Sequence, residues 1–174
     1  LRETLDERGL SAPVHAAPLE RLPVEDASFD AVVCAEVLEH LDDDLVGLRE
    51  LARVARPGAL LLVTVPADPY RFDWTDLWAG HRRRYTSAQL AERIRSAGFD
   101  EVSVDGWGFP LSAFYHRHVY RPALRRRLAS GAGAGGAPPR WASAAVRAAL
   151  ELDSLFVGRE RGALGLVATA LRAP

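Results

Sequence analysis

The stretch 29–66 constrains the fold more than any other part of the sequence. It begins with a continuous apolar run, residues 31–35, which is typical of a strand buried on both faces. Apolar residues at helical spacing follow from 42 to 55, Pro57 and Gly58 end that helix, and residues 60–65 form a second buried strand. Strand, helix and strand in this order predict a βαβ unit, and therefore an α/β protein.

Composition and charge exclude several functional classes. The chain has 174 residues, of which 48% are apolar and 26% charged, as expected for one folded domain. Its formal net charge of −1 gives no general attraction to nucleic acid or to a membrane surface. Cys34 is the single cysteine, so no internal disulfide is expected, and a reducing compartment such as the cytoplasm is predicted.

The rest of the chain continues the alternation of strands and helices. Residues 67–85 show no clean period and are rich in aromatic residues, so we predict a long functional loop there. Thr86, with Gln89 three residues later, has the pattern of a capping box at a helix start. The other predicted elements are strands at 14–19, 101–107 and 164–171, and helices at 86–98, 111–128 (broken by Pro122) and 141–157.

These elements predict a mostly parallel sheet with helices on both faces, divided into three regions. Residues 1–108 form the core, and residues 109–160 form a helical insertion. Within the insertion, the Gly/Ala/Pro-rich stretch 130–139 is a linker. Residues 161–174 return to the core as its last strand.

The linker contains the only candidate for a nucleotide-binding glycine motif. Gly131, Gly133 and Gly136 satisfy the spacing G-x-G-x-x-G. An arginine-rich helix precedes them instead of a strand, so the context that such a motif requires is absent and we interpret the run as a linker. The same lack of a fingerprint disfavours a nucleotide-dependent oxidoreductase.

Three segments together resemble a known family. They are RLPVEDASFDAVVCAEVLEHL (21–41), LRELARVARPGALLLVTVP (48–66) and GHRRRYTSAQLAERIRSAGF (80–99). In combination they resemble class I S-adenosylmethionine-dependent methyltransferases, in particular the methyltransferase type 11 and ubiquinone/menaquinone methyltransferases. The resemblance implies a Rossmann-like fold, S-adenosylmethionine as cofactor, and methyl transfer to a small-molecule or lipid-linked acceptor.

The resemblance also implies that part of the family's sheet is missing. No strand with a glycine-rich turn precedes Leu1, so we expect an N-terminally truncated fold whose activity in isolation is impaired. The family's fourth, fifth, seventh and sixth strands would then form a four-stranded sheet, in that order, with the segment before Asp30 unpaired. Residues 31–35 would become an open edge, which predicts self-association there. The alternative function is therefore a non-catalytic remnant or association subunit.

The cofactor would lie at the carboxyl ends of the strands, where open α/β sheets bind ligands. At the end of the third family strand Pro18 replaces the usual acidic residue and offers neither a carboxylate nor an N–H. Its neighbours can still supply backbone groups and an apolar wall. The residues that the resemblance places against the cofactor are Ala17, Pro18, Leu19, Cys34, Ala35 and Glu36.

Two histidines are the candidate catalytic residues. Glu36, Glu39 and His40 share one face of a helical turn, and His81 comes after the next strand. The pattern E-x-x-E-H with a later histidine resembles a Mg²⁺, Mn²⁺ or Zn²⁺ site of some methyltransferases, although we expect no metal and interpret His40 as lining the cleft. His81 is either a general base or part of an acid-paired turn with residues 82–84.

A basic, aromatic patch covers residues 111–128. Its arginines and histidines alternate with Phe114, Tyr115 and Tyr120. This pattern suits an anionic or lipid-like substrate, contact with a membrane surface, or simply a helix with a solvated basic face. The near-neutral charge of the whole chain argues against nucleic acid.

Overall fold

The structure, a computed structural model, describes residues 5, 7–9, 11–131, 140–158 and 160–174, with the backbone alone for 140–146. Within these residues, four strands form one sheet in the order β1-β2-β4-β3. β1 and β2 are parallel, and β4 is antiparallel to both β2 and β3, so three strands run in one direction. The strands are β1 (Phe29–Ala35), β2 (Ala55–Pro66), β3 (Phe99–Trp107) and β4 (Gly165–Arg172).

This strand order confirms the four-stranded arrangement that the family resemblance implies. The strand predicted at 14–19 was wrong, because residues 11–18 form no strand and a turn follows, closed by Arg21 N–H donating to the Pro18 carbonyl at 3.1 Å. Pro13 and Pro18 lack the N–H that a ladder needs, and no described strand lies beside this segment.

Six α-helices and three short 3₁₀ turns connect the strands in the described part of the chain. Both predicted core helices are present. Asp43 caps the helix that begins at Asp44, and Thr86 with Gln89 forms a capping box at the start of the helix that begins at Ser87. The helices are α1 (Asp44–Val54), α2 (Trp74–Ala79), α3 (Ser87–Ser96), α4 (Leu111–Tyr115), α5 (Arg121–Ala129) and α6 (Arg140–Asp153).

Two boundaries differ from the prediction. α2 lies inside the predicted loop 67–85, where Asp73 and Asp76 form a reciprocal capping box that the search for periodicity missed. β2 begins at Ala55 and not at residue 60, because Ala55 already pairs with Phe29 of β1, and the ladder is irregular between this pair and the pair of Ala31 with Leu60. Gly58 takes a φ of +78°, which glycine adopts without strain.

Only one face of the sheet is well buried in the described structure. Leu61, Val63, Leu166 and Ala168 lie in the core, which α1 and α3 close. On the opposite face Val33 is 68% exposed and Leu60 is 44% exposed. The predictions of strands buried on both faces and of helices on both faces were therefore wrong for the described residues, because none of their helices covers this second face.

The helical insertion is more continuous than Pro122 suggested. Between α4 and α5 the chain makes a π-helical turn, His116–Tyr120, which Arg121 N–H closes by donating to the His116 carbonyl. Pro122 then occupies the first turn of α5, where its missing N–H costs little. Residues 132–139 of the predicted linker lie outside the described part of the chain. Among the described helices, none has the length and apolar composition that crossing a bilayer requires.

Candidate active site

A buried carboxylate follows β1 directly. The chain leaves the strand at Ala35 and makes a 3₁₀ turn, Leu38–His40, whose Glu39 side chain is inaccessible to solvent. Neither carboxylate oxygen of Glu39 has a hydrogen-bond partner among the described residues. Burial, with a smaller contribution from the nearby charge of Glu36, raises the pKa of Glu39 to about 7.

The run 81–84 brings a second histidine to this carboxylate. Arg82 N–H donates to the Glu39 carbonyl at 2.8 Å, and Arg82 Nε donates to the His40 carbonyl at 2.9 Å. The Arg83 guanidinium donates to the carbonyls of Leu41 and Asp42, both at 2.8 Å. The run thus binds the backbone carbonyls of the turn after β1, and it also carries His81.

His40 and His81 converge on Glu39. Each places its Nε2 atom 3.9 Å from Glu39 Oε1. The two rings meet edge to face, with centroids 4.9 Å apart and planes at 78°. The structure therefore brings together both predicted catalytic histidines and one of the two predicted acidic neighbours. Glu36 stays outside this group.

The other ring nitrogen of each histidine has a fixed acceptor. His40 Nδ1 lies 3.1 Å from the Gly80 carbonyl, and His81 Nδ1 lies 2.9 Å from Asp76 Oδ1. Because both partners only accept, each Nδ1 carries a proton and each neutral ring presents an unprotonated Nε2 toward Glu39. The two nitrogens that face the carboxylate are thus able to accept a proton or to coordinate a cation.

Asp76 is the residue that the sequence did not single out. It is buried and accepts from the Asp73 backbone N–H at 2.9 Å, from His81 Nδ1, and from Arg84 Nε at 2.8 Å. Burial alone would raise the pKa of Asp76, but these three hydrogen bonds outweigh it and keep the pKa below its usual value. The spacing Asp73-x-x-Asp76 before an apolar stretch was the signal that could have revealed it.

The donor set could hold a divalent cation. The ligand atoms of Glu39, His40 and His81 all lie within 4.8 Å of one another. Two imidazoles and one carboxylate suit Zn²⁺ or another first-row divalent cation, and the Asp76 carboxylate and the Gly80 carbonyl orient the rings by accepting from each Nδ1. The Glu39 carboxylate has no hydrogen-bond partner among the described residues, so a bound cation would supply the interaction that it lacks.

One group of predicted cofactor residues lies at the exposed end of β1. Cys34 is buried, and burial raises the pKa of its thiol to about 12, so it remains a neutral thiol. Ala35 and Glu36 are exposed. Glu36 takes a φ of 53°, which non-glycine residues rarely adopt and which is frequent at ligand sites, and its N–H already donates to the Thr64 carbonyl at 3.0 Å.

The second group lies elsewhere on the surface. Ala17 and Pro18 line an open cleft together with Arg21 and residues 22–25, and Cys34, Ala35 and Glu36 are not part of its wall. Leu19 instead turns inward, where Gly47 leaves room for it: a Cβ on Gly47 would lie 3.1 Å from a Leu19 methyl. The structure does not unite the two predicted groups in this cleft.

Solved structures with this fold are class I S-adenosylmethionine-dependent methyltransferases and their relatives. A possible histamine N-methyltransferase of Thermotoga maritima matches with a TM-score of 0.61 at 18% identity, covering 98% of this chain and 68% of that one. The cyclase SpnF matches with a TM-score of 0.63 at 24% identity, covering 99% and 60%. These likenesses establish the Rossmann-like methyltransferase fold.

Sequence relatives narrow the class further. A family model described as a methyltransferase domain matches residues 1–63. A probable S-adenosylmethionine-dependent methyltransferase of Mycobacterium tuberculosis is 32% identical over 168 residues, covering 91% of this chain and 61% of that protein. A ubiquinone biosynthesis O-methyltransferase of Hahella chejuensis is 40% identical over 124 residues, covering 63% and 52%. These matches support a class I S-adenosylmethionine-dependent methyltransferase, and the chain spans about three-fifths of the length of the first of these relatives.

Proposed function

We propose that the protein transfers a methyl group from S-adenosylmethionine to a hydroxyl oxygen of a small-molecule acceptor, with His81 as the general base. The observation that carries this proposal is the convergence of two Nε2 atoms on the buried Glu39 carboxylate, 3.9 Å from each. A hydroxyl is a weak nucleophile, so its methylation needs a group that removes the proton. The O-methyltransferase among the relatives supports the choice of oxygen.

His81 has the better geometry for the base. Asp76 holds its Nδ1–H and would stabilise the imidazolium that forms when Nε2 takes a proton. His81 is also less exposed than His40, with 18% of its side chain accessible against 40%. In the reaction the acceptor oxygen forms a bond to the methyl carbon, the carbon–sulfur bond breaks, and the acceptor proton passes to His81. His40 would position the acceptor beside Glu39.

The cofactor supplies an activated methyl group, so alignment and exclusion of water are the main tasks of the protein. From this chain, Ala35 and Glu36 at the end of β1 are the residues we assign to the cofactor, with Cys34 beneath them. Ala17, Pro18 and Leu19 remain weaker candidates, since Leu19 points into the core.

One binding measurement and one activity measurement test the proposed function. Calorimetry with S-adenosylhomocysteine is expected to show saturable binding in the micromolar range, reduced by Ala35→Trp. Transfer of a labelled methyl group to a panel of phenols and alcohols is expected to fall at least about a hundredfold in His81→Ala. Transfer unchanged in His81→Ala would reject the base, and absence of cofactor binding would favour the association subunit.

A divalent cation at Glu39, His40 and His81 is the second candidate, favoured by the unpartnered buried carboxylate. It would act as a Lewis acid on the acceptor oxygen. Titration of the chelator-treated protein with Zn²⁺, Mn²⁺ and Mg²⁺ tests it, with Glu39→Gln as the variant and Glu36→Gln as the control. Binding that Glu39→Gln leaves intact would place the cation elsewhere.

Two association surfaces belong to the same proposal. β1 is an edge strand within the described sheet and exposes Val33, which suits pairing with a second copy, and sedimentation of Val33→Lys against wild type tests this. Phe114 and Val119 are 62% and 48% exposed on the basic insertion, which suits contact with an anionic membrane surface. Co-sedimentation with anionic and neutral vesicles tests that contact, and a lipid-linked acceptor would reach the site by this route.

A further inference from the structure

Two neighbouring cavities lie where the helical insertion meets the core. One has a volume of about 270 Å³ and the other about 350 Å³, and His116 and Leu164 belong to the walls of both. His116 sits on the π-helical turn, and Leu164 immediately precedes β4. The two cavities are therefore adjacent and have two lining side chains in common. Together they could hold two parts of one ligand.

The smaller cavity is positively charged. Four arginines line it, Arg71, Arg84, Arg117 and Arg121, against a single carboxylate, Asp73. Arg84 and Arg121 are paired with Asp76 and Asp73, and Arg71 lies 3.6 Å from Asp68. Arg117 is exposed and has no acidic partner in the part of the chain that the structure describes.

The charge of this cavity also reaches the shared wall. Burial lowers the pKa of His116, and the positive charges of Arg121 and Arg84 lower it further, against the opposing effect of Asp73 and Asp76. The imidazole is thus held neutral by an environment that attracts anions. Guanidinium groups that surround a cavity suit a carboxylate or a phosphate.

The larger cavity is apolar, and two of its wall residues carry buried polar atoms that have no hydrogen-bond partner among the described residues. Its walls include Tyr115, Tyr120 and Leu150. Trp107 Nε1 and Ser112 Oγ, on residues of the same wall, are buried and have no hydrogen-bond partner among the described residues. Ser112 is only 8% exposed. A buried donor without a partner is destabilising, so a ligand oxygen that accepts from both would be favoured.

Ser112 is held in place by a carboxylate from across the insertion. Asp153 at the end of α6 is buried and accepts from the backbone N–H groups of Leu111 and Ser112, at 2.8 and 2.7 Å. These bonds fix the start of α4 and with it the position of the Ser112 hydroxyl. The unsatisfied hydroxyl therefore stands on a rigid support.

We propose that the two cavities form one binding site for an anionic amphiphile. Its acidic group lies among the arginines beside Arg117, its apolar body passes His116 and Leu164, and an oxygen on that body accepts from Trp107 and Ser112. The ligand is the methyl acceptor, an assignment that rests on the proposed function, and its reacting hydroxyl is a separate group that extends past Arg84 toward His81 and is not the oxygen held by Trp107 and Ser112. Asp76 connects the smaller cavity with the cluster around Glu39, because it accepts hydrogen bonds from both the cavity residue Arg84 and His81.

The test uses three rigid probes that carry the two groups together or singly. They are a biphenyl with a hydroxyl and a carboxylate at opposite ends, hydroxybiphenyl, and biphenyl carboxylate. Calorimetry without cofactor is expected to rank the doubly substituted probe tightest. Arg117→Ala should weaken both carboxylates about fivefold and leave hydroxybiphenyl unchanged. Ser112→Ala and Trp107→Phe should weaken both hydroxyl probes about fivefold and leave biphenyl carboxylate unchanged.

Matched controls and a spectroscopic signal complete the experiment. Arg126→Ala removes an arginine of α5 outside both cavities, and Ser87→Ala removes another buried hydroxyl without a partner, so neither should change the affinity. The indole N–H resonance of Trp107, assigned with Trp107→Phe, should shift when the hydroxyl probes bind. Absence of saturable binding by the doubly substituted probe, or equal losses for all three probes in Arg117→Ala, overturns the site.

The result of the probe-binding experiment can be distinguished from the result of the methyl-transfer assay. Probe binding with the predicted pattern but without any methyl transfer would count against the proposed function and leave the cavity site standing. Methyl transfer that is unchanged in Arg117→Ala and Ser112→Ala would place the acceptor elsewhere and reject the assignment of these cavities.

Discussion

The cluster around Glu39 and the helical insertion are assembled in opposite ways. Around Glu39 and His81, the chain uses hydrogen bonds between charged groups and backbone carbonyls about forty residues apart in sequence, and it buries the Asp76 carboxylate completely. In the insertion, helices pack through aromatic and arginine side chains, and many apolar residues such as Phe114 and Leu155 stay exposed. A single buried carboxylate, Asp153, joins α4 to α6.

Under the proposed function, the difference separates a rigid reacting centre from an adaptable binding surface. Asp76 is a buried charge that is fully paired, and it tolerates little displacement because each lost partner would leave a desolvated charge. Helices with exposed apolar side chains can shift at little cost and so admit ligands of different length. The fold thus keeps the proton-accepting groups fixed and assigns the variable part of recognition to the insertion, which is how function is usually added to a common fold.

The largest effect is expected at Asp76. Asp76→Ala leaves Arg84 buried without its partner and His81 without its acceptor, so the free energy of unfolding should fall by about 3–5 kcal/mol. Chemical denaturation measures it. Asp42→Ala, which breaks the exposed pair with Arg82, should cost about 1 kcal/mol or less. Equal losses in the two variants would show that the cluster is no more rigid than the surface.

The next effect is a dependence of stability on pH. The pKa of Glu39 is raised from 4.5 to about 7, so between these values the folded chain holds a proton that the unfolded chain has lost. Stability should therefore fall by up to about 3 kcal/mol as the pH rises from 4.5 to 7, and level off above. Denaturation of chelator-treated protein measures it.

Two variants isolate this contribution from that of other groups. In Glu39→Gln the difference in stability between the two ends of the pH range should shrink, whereas Glu36→Gln, which removes only the smaller contribution to the raised pKa of Glu39, should keep most of it. A profile for Glu39→Gln that parallels the wild type would mean that Glu39 is ionised in the folded chain.

The same contrast explains what the sequence could predict. The strands and the helices α1 and α3 follow from periodic apolar residues and from the Thr86 capping signal, and the sheet order follows from the family resemblance. For His40 and His81, the sequence predicted only that both lie at the same edge of the sheet, because both follow parallel strands. The burial of Glu39 and the role of Asp76 depend on contacts between distant segments, which periodicity does not report.

The insertion was predicted by composition and not by contacts. Its basic aromatic pattern left three interpretations open, because an exposed helix face and a cavity wall contain the same residue types. The unsatisfied Trp107 and Ser112 atoms become apparent only when the end of β3 is placed against α4 and α6. The exposed face of the sheet was not predicted for a similar reason. Apolar residues in a strand indicate that a sheet face could be buried, but they do not show which element would bury it.

A smaller effect is expected at Asp153. Asp153→Ala removes the acceptor of two backbone N–H groups, with an expected local cost of about 1–3 kcal/mol. Hydrogen exchange should quicken in α4, where Ser112 stands, while the amides of β2 keep their protection. Ser154→Ala, at a neighbouring exposed position, is the control. Loss of protection throughout β2 would contradict the separation of the insertion from the core.

The smallest effect is expected where the two regions meet, at Trp74 on α2. The guanidinium of Arg125 lies 5.9 Å from the centre of the Trp74 ring. A double-mutant cycle with Arg125→Ala and Trp74→Leu should give a coupling of about 0.5 kcal/mol, because the contact is partly solvated. The cycle with Arg126→Ala should give none. A coupling above about 2 kcal/mol would mean that the insertion and α2 form one cooperative unit, so that ligand binding in the cavities would be transmitted through α2 to Asp76 and His81 instead of leaving the cluster fixed.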